Sequence, residues 1–321
     1  MLKKRSIRKI LASFSVLFAM VLVYLVPKDK EYSLDIKKTV FYRDKNVILK
    51  TVYLLDQNDY VARSKIVSNK KDLEVIDKAK ELLDVLIIDS KSESLVPNGF
   101  KQIIPSDTKI LGIKFEDGLL KVNFSKEILD VSLEYEEKMI ESIIYTLTSI
   151  DEVKKIIIYV DGDILSKLPK SNINLPSTLD RNYGVNKDFK LTKVDNYQKV
   201  TVYYINKFND NYYYVPVTKY LNDDRDKIKI IVDELSSSYV YNTNLMSFLN
   251  NNTKLLSSSL EGDILNLTFN KYLFNNIEDK DILEEVIYTI SLSMADNFNI
   301  KEVNFIVEDN EIYKSVIKTL E

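Results

Sequence analysis

Thr108-Lys109-Ile110-Leu111 opens a twenty-residue stretch, TKILGIKFEDGLLKVNFSKE over 108–127, that is written again as TKLLSSSLEGDILNLTFNKY over 253–272. Seven of the twenty aligned pairs are identical, among them Thr108/Thr253, Glu116/Glu261 and Phe124/Phe269. Chance pairing of such compositions would give roughly one or two. Flanking blocks follow in the same order: Thr51-Val52-Tyr53 recurs as Thr201-Val202-Tyr203, and Ile144-Tyr145-Thr146 as Ile287-Tyr288-Thr289. A spacing near 145 residues is too long for a solenoid unit and matches a whole domain, so the chain reads as a tandem duplication.

Within the first copy, Val47–Leu55 alternates as a strand and Tyr60–Val67 continues it beyond Asn58-Asp59 as a hairpin partner. Asp72 opens a helix with Leu73, Ile76, Ala79, Leu83 and Leu86 on one face. Lys109–Phe115 and Leu119–Phe124 flank Glu116-Asp117-Gly118, a hairpin signal, because Gly supplies the positive φ a tight turn needs. Leu133–Ile150 is a second helix that buries Met139, Ile143, Ile144 and Leu147, and Lys154–Val160 a last strand ending at Asp161-Gly162. The second copy repeats the order: strands over Val200–Ile205 and Tyr212–Thr218, a helix over Asp224–Leu235, a hairpin turning at Glu261-Gly262-Asp263, a helix over Asp281–Asp296, and a strand over Val303–Val307. Glu311–Leu320 is expected to add a short terminal helix. The fold class expected is α+β, two ββ-α-ββ-α-β units whose mixed sheets are covered by helices.

The 321 residues then divide into a basic segment (1–9), an apolar run (10–26), a tether (27–46), a first domain (47–163), a connector (164–196), a second domain (197–310) and a tail (311–321). Seventeen helical residues span about 26 Å, just short of a hydrocarbon core of ~30 Å. Lys3, Lys4, Arg5, Arg8 and Lys9 should hold the N-terminus inside, which sends the rest across the membrane. The exit Tyr24-Leu25-Val26-Pro27-Lys28 offers no small-residue cleavage site, so the run reads as an uncleaved signal-anchor, with a cleaved signal peptide as the rival reading. Beyond residue 26 the chain has 40 Lys/Arg against 48 Asp/Glu, a net charge of −8. That balance argues against nucleic acid as a partner.

With no His, the usual general base, zinc ligand and Ser-His-Asp triad are all missing. With no Cys, so are disulfides, thiolates and lipid attachment. Glu116-Asp117-Gly118 and Asp161-Gly162-Asp163 could be carboxylate pairs for acid–base work or Ca²⁺, but no ligand-spaced loop accompanies them and they read as turns. Tyr203, Tyr204 and Tyr212-Tyr213-Tyr214 read as strand aromatics, with a glycan-stacking platform as the alternative should Tyr204 or Tyr213 lie exposed. Ser257-Ser258-Ser259 reads as a weakened, polar edge strand. No residue receives a catalytic, cofactor-binding or metal-binding assignment.

A longer set of residues carries a family resemblance. Leu95-Val96-Pro97, Ile104-Pro105-x-x-Thr108-Lys109, Asp117-Gly118, Val122-Asn123-Phe124-Ser125-Lys126-Glu127, Tyr145-Thr146-Leu147-Thr148 and Val160-Asp161-Gly162 resemble, in order and spacing, the GerMN domain over about a hundred residues. Residues 197–310 resemble a diverged second GerMN domain, with Asn251-Asn252 in place of the Pro-containing turn. The resemblance implies a non-enzymatic, extracytoplasmic sporulation or germination protein of an endospore-forming bacterium. It further implies a fold similar to ring-building domains, and partners among envelope or sporulation-channel proteins or further copies in a homo-oligomer or ring. A wall-glycan binding module is the alternative. The connector Leu175-Pro176-Ser177-Thr178-Leu179-Asp180-Arg181-Asn182-Tyr183-Gly184 is too patterned for a loose tether and is expected to pack between the domains.

Overall fold

The computed structural model describes residues 48–68, 73–237, 243–307 and 310–317. The basic segment, the apolar run, the tether and Asp72 lie outside the described residues. Among the described residues no helix is long and apolar enough to cross a membrane.

The first copy begins with the hairpin β1 (Ile48–Asp56) and β2 (Val61–Ser68), in register from Ile48↔Ser68 to Leu55↔Val61. Helix α1 (Val75–Leu86) buries Ala79, Leu82, Leu83, Val85 and Leu86, while Ile76, expected on the buried face, is 41% exposed. After the short β3 (Phe100–Lys101), strands β4 (Ile110–Glu116) and β5 (Leu119–Phe124) form the expected second hairpin. Helix α2 (Glu136–Leu147) then crosses over to β6 (Lys155–Val160), which runs parallel to β5, and β7 (Asp163–Ile164) closes the sheet. Met139, Ile143, Ile144 and Leu147 are all buried, as the spacing predicts.

The connector supplies β8 (Asp188–Lys190) and leads to the second copy's hairpin, β9 (Gln198–Phe208) and β10 (Asn211–Leu221). Helix α3 (Lys227–Ser236), strands β11 (Leu255–Glu261) and β12 (Ile264–Phe269), helix α4 (Glu284–Asn297) and strand β13 (Glu302–Val307) repeat the first copy's order. The tail is not helical as far as Val316. Residues Asn310–Val316 form β14, antiparallel to β13 with Phe305 opposite Tyr313. β13 buries Val303, Phe305 and Val307, and its open main-chain edge is satisfied by β14, the counterpart of the much shorter β7.

The sheets differ from one mixed sheet per unit. Each copy contributes a four-stranded mixed sheet, β4-β5-β6-β7 and β11-β12-β13-β14, but the two N-terminal hairpins share a third, six-stranded sheet. Its order is β3-β1-β2-β10-β8, with β9 on β10. The described residues accordingly form one compact unit. Hairpin pairing is local and legible, whereas the outer edge of β2 finds its partner about 150 residues away, where no periodicity in sequence reports it.

Two large apolar cores result, with a small third cluster around Tyr203 and Leu292. One gathers Leu83, Val122, Phe124, Ile143 and Ile158, and the other Val215, Ile231, Leu267, Phe269 and Phe305. The connector is packed and not a loose tether: Leu168, Leu175, Leu179 and Val185 join the first core. Leu179 also exchanges both main-chain hydrogen bonds with Ile156 on β6, at 2.8 Å each.

Candidate functional site

A cluster of buried polar groups lies where the copies meet. Tyr53 and Tyr203, which occupy the same place in the two hairpins, join hydroxyl to hydroxyl at 2.9 Å. Three residues further along each strand, Asn206 Nδ2 donates to Asp56 Oδ2, also at 2.9 Å. Two pairs of equivalent residues in mutual contact mark an approximate twofold axis, the geometry of a symmetric dimer interface built within one chain. Asp56 is wholly buried and fully engaged: it also accepts the hydroxyl of Tyr213 and the N–H groups of Asn58 and Tyr60. Burial and the Asp56 carboxylate together hold the Tyr213 hydroxyl well above its ordinary pKa.

The helices complete both outer edges of the shared sheet. Tyr53 N donates to Thr146 Oγ1 at 2.9 Å, and Tyr203 N to Ser293 Oγ at 2.8 Å. Ser142 Oγ donates to Tyr53 O, and Asn297 Nδ2 to Thr201 O. These contacts give the small polar residues of α2 and α4 their reason for being buried: they satisfy strand groups that lack a neighbouring strand. They also correct the helix alignment. Thr146 corresponds to Ser293, one turn beyond Thr289, because residues four apart share a helical face. Leu292 therefore stands against Tyr203 as Tyr145 stands against Tyr53, while Tyr288 stacks on Tyr214 instead.

The connector breaks the symmetry. Arg181 places its guanidinium 4.9 Å from the Tyr145 ring centroid and 5.7 Å from that of Tyr53, and pairs with Asp296, whose side chain is 1% exposed. Five residues on, Asn186 (φ 45°) stands in for a missing strand bond. Pro216 has no N–H to give Val61, so the strands cannot pair there. Asn186 accepts from Val61 N and donates to both Val61 O and Pro216 O, at 2.7–2.9 Å. β2 and β10 thus meet directly only through Arg63↔Tyr214. Beyond that pair lies a groove of 480 Å³ bordered by Ser64, Lys65, Phe208, Tyr212 and Tyr213.

Beside the connector, Glu137 and Glu141 of α2 share one cation, Lys187, at 2.5 and 3.5 Å. The N–H of Asn186 also donates to Glu141. Burial pushes Glu141 up to about 7, with Lys187 and the Asn186 N–H pulling it partly back. Arg181, Asn186, Lys187 and Glu141 carry no local pattern that singles them out. Only Arg181 falls within the patterned stretch of the connector, 175–184.

The sequence candidates separate. Glu116 and Glu261 end β4 and β11 in different sheets. Asp117 and Gly118 (φ 48° and 79°) and Asp161 and Gly162 (φ 48° and 95°) adopt two consecutive positive φ values, the geometry of a type I′ turn. Among the described residues no group of three or more His, Cys, Asp or Glu could hold a metal ion. Tyr203, Tyr204 and Tyr213 are buried strand aromatics, and Tyr212 alone of the run is exposed, at 44%. Ser257, Ser258 and Ser259 lie, as expected, in an edge strand, β11.

This geometry has relatives. The family described as Germane, of sporulation and spore germination, matches residues 51–166 and 201–313, one stretch for each copy. The chain belongs to the Germane family. The spore germination protein GerM of Bacillus subtilis (strain 168) is 28% identical over 265 residues, which cover 81% of this chain and 71% of that protein. The solved tandem GerMN domains of the sporulation protein GerM from Bacillus subtilis superpose with a TM-score of 0.73 at 27% identity, covering 82% of this chain and 91% of theirs. The Germane match to both stretches and the superposition over both copies extend the resemblance beyond a single domain.

Proposed function

We propose that the chain is a membrane-anchored, extracytoplasmic, non-enzymatic assembly protein of sporulation or spore germination. Its two domains act as one rigid block in the space between mother cell and forespore. The observation that carries this reading is the junction itself. Tyr53, Asp56, Tyr203 and Asn206 are engaged with one another across the copies. A block with a fixed angle between its domains suits a scaffold that presents several faces to envelope or channel proteins or to further copies. The residues of 10–26 supply the anchor, with the N-terminus inside.

A clean deletion tests this. It should lower the yield of heat-resistant spores or delay their germination, and pull-down of the full chain from sporulating cells should recover envelope proteins. Spores normal in number and germination would refute the role.

A further inference from the structure

The outer face of the first small sheet carries an arrangement that the second copy lacks. Register sets its rows: Gly112, Asn123 and Tyr159 lie side by side across β4, β5 and β6, and Lys114, Lys121 and Ile157 form the next row. The opposite face, with Val122, Phe124, Ile156 and Ile158, is buried in the core. Lys114 and Lys121 are therefore directly opposite like charges on adjacent strands, an arrangement that destabilises a sheet. Neither forms an ion pair or hydrogen bond among the described residues, and Glu116, on the same face two residues along, pairs with neither. The lysines border a depression of 490 Å³. Its floor is kept clear by Gly112, where an added Cβ would meet nothing within 4 Å. A bulge in β4 between Ile110 and Gly112 leaves Leu111 51% exposed at the rim. Asn123 commits its oxygen to Gly162 N at 3.0 Å, which leaves its NH₂ group to donate.

In the second copy the same row is neutral and closed. Ser259, Asn266 and Asn304 stand side by side, with Asn266 donating to Ser259 and Asn304 to Asn266. Ile306 takes the place of Tyr159. One fold thus carries a hydrogen-bonded, uncharged amide ladder in one copy and an uncompensated pair of cations beside an aromatic ring in the other.

We propose that this face of the first domain binds a sugar-phosphate polymer. The ammonium groups of Lys114 and Lys121 take the phosphate, Tyr159 and Leu111 lie against the apolar face of a sugar ring, and Asn123 donates to a hydroxyl. Phosphate is the better match than carboxylate. Two point-charge ammonium groups can converge on phosphate oxygens, whereas a carboxylate is best held by the planar fork of an arginine, and none lines the depression. The chain beyond residue 26 has a net charge of −8, so attraction to a polyanion must be local to this face and sensitive to salt.

Co-sedimentation of the full chain, held in mild detergent, with two preparations of bacterial sacculi tests the proposal. One retains its phosphate polymers and the other is acid-stripped of them. The wild-type chain should pellet with the first, about tenfold less with the second, and less at high salt. Lys114→Ser with Lys121→Asn installs the residues that the second copy already carries in this fold. It should reduce pelleting about tenfold while leaving the melting temperature unchanged or raised. Tyr159→Ile, also the second copy's residue, keeps both charges and should reduce pelleting several-fold. Equal pelleting of wild type and the double-lysine variant, or undiminished pelleting with stripped sacculi, would overturn the proposal. Tyr159→Ile pelleting like wild type would overturn the sugar contact. Because binding is read in vitro, failure here is distinct from normal sporulation of a deletion strain.

Discussion

Arg181 offers the sharpest test of the idea that the connector locks the copies together. Truncation to Ala removes the cation that covers Asp296 and the contact over the Tyr145 ring. Stranding one partner of a buried ion pair costs ~3–5 kcal/mol. Arg181 keeps 29% exposure, so water can reach the vacated carboxylate, and the pair term falls to about 2 kcal/mol by solvent screening. The lost cation–π contact adds about 1 kcal/mol. The expected cost of Arg181→Ala is therefore about 3 kcal/mol, or roughly 6–12 °C in melting temperature for a body of this size. Asp296→Asn in the same background removes the stranded charge and should recover about half of the loss. Urea unfolding read by far-UV dichroism and tyrosine fluorescence supplies both numbers. It also shows whether one transition becomes two as the copies uncouple. A loss below about 1 kcal/mol, or no recovery with Asp296→Asn, would refute the clamp.

Glu141 gives a pH dependence of defined sign. Its folded pKa of about 7 lies above the ordinary 4.5, so between these values the folded chain holds a proton that the unfolded chain has lost. Stability should therefore fall as pH rises from about 4.5 to about 7, by up to roughly 3 kcal/mol. Glu141→Gln should flatten that slope, matching wild type near pH 5 and exceeding it at pH 8; an unchanged slope in denaturant titrations at both pH values would contradict it. Asn186→Ala strands Val61 N and O between β2 and β10, and should cost about 2–4 kcal/mol. Hydrogen exchange should quicken first at Val61, and unchanged protection there would count against the bridging role. Gly99 (φ 90°) meets the Phe208 ring so closely that an added Cβ would lie 2.4 Å from it. Gly99→Ala should cost about 1–3 kcal/mol through backbone strain and that clash, measured as a drop in the urea midpoint; a neutral result would mean that the loop and Phe208 do not pack.

Local elements were legible because their signals are local. Asp117-Gly118 and Glu261-Gly262 announce their turns, and the spacing of Met139, Ile143 and Leu147 announces a helix and its buried side. The helix alignment slipped by one turn because Ile144-Tyr145-Thr146 and Ile287-Tyr288-Thr289 look alike, while packing follows the face, and residues four apart share it. Strand β14 was missed because Glu311-Ile312-Tyr313-Lys314 suits either state, and the open edge of β13 decides between them. The shared sheet and the Arg181 and Asn186 contacts depend on partners 30 to 150 residues away. No window of sequence contains both halves of such a contact.

The twofold relation between the copies constrains how each could diverge. A residue on the axis meets its own counterpart, so a change in one copy is felt at once by the other. Asp56 and Asn206 show the outcome: two aspartates at that contact would repel in a buried site, and Asn206 removes one charge while keeping the hydrogen bond. Faces far from the axis carry no such coupling, and there the copies part company. Lys114 and Lys121 stand where Ser259 and Asn266 stand, on the same strands of the same fold. Divergence at the junction is therefore compensated, as where Asn186 replaces the strand bond that Pro216 cannot make, whereas the outer sheets change charge outright. Residue differences between the copies should for that reason be read for function on the outer faces and for stability at the axis.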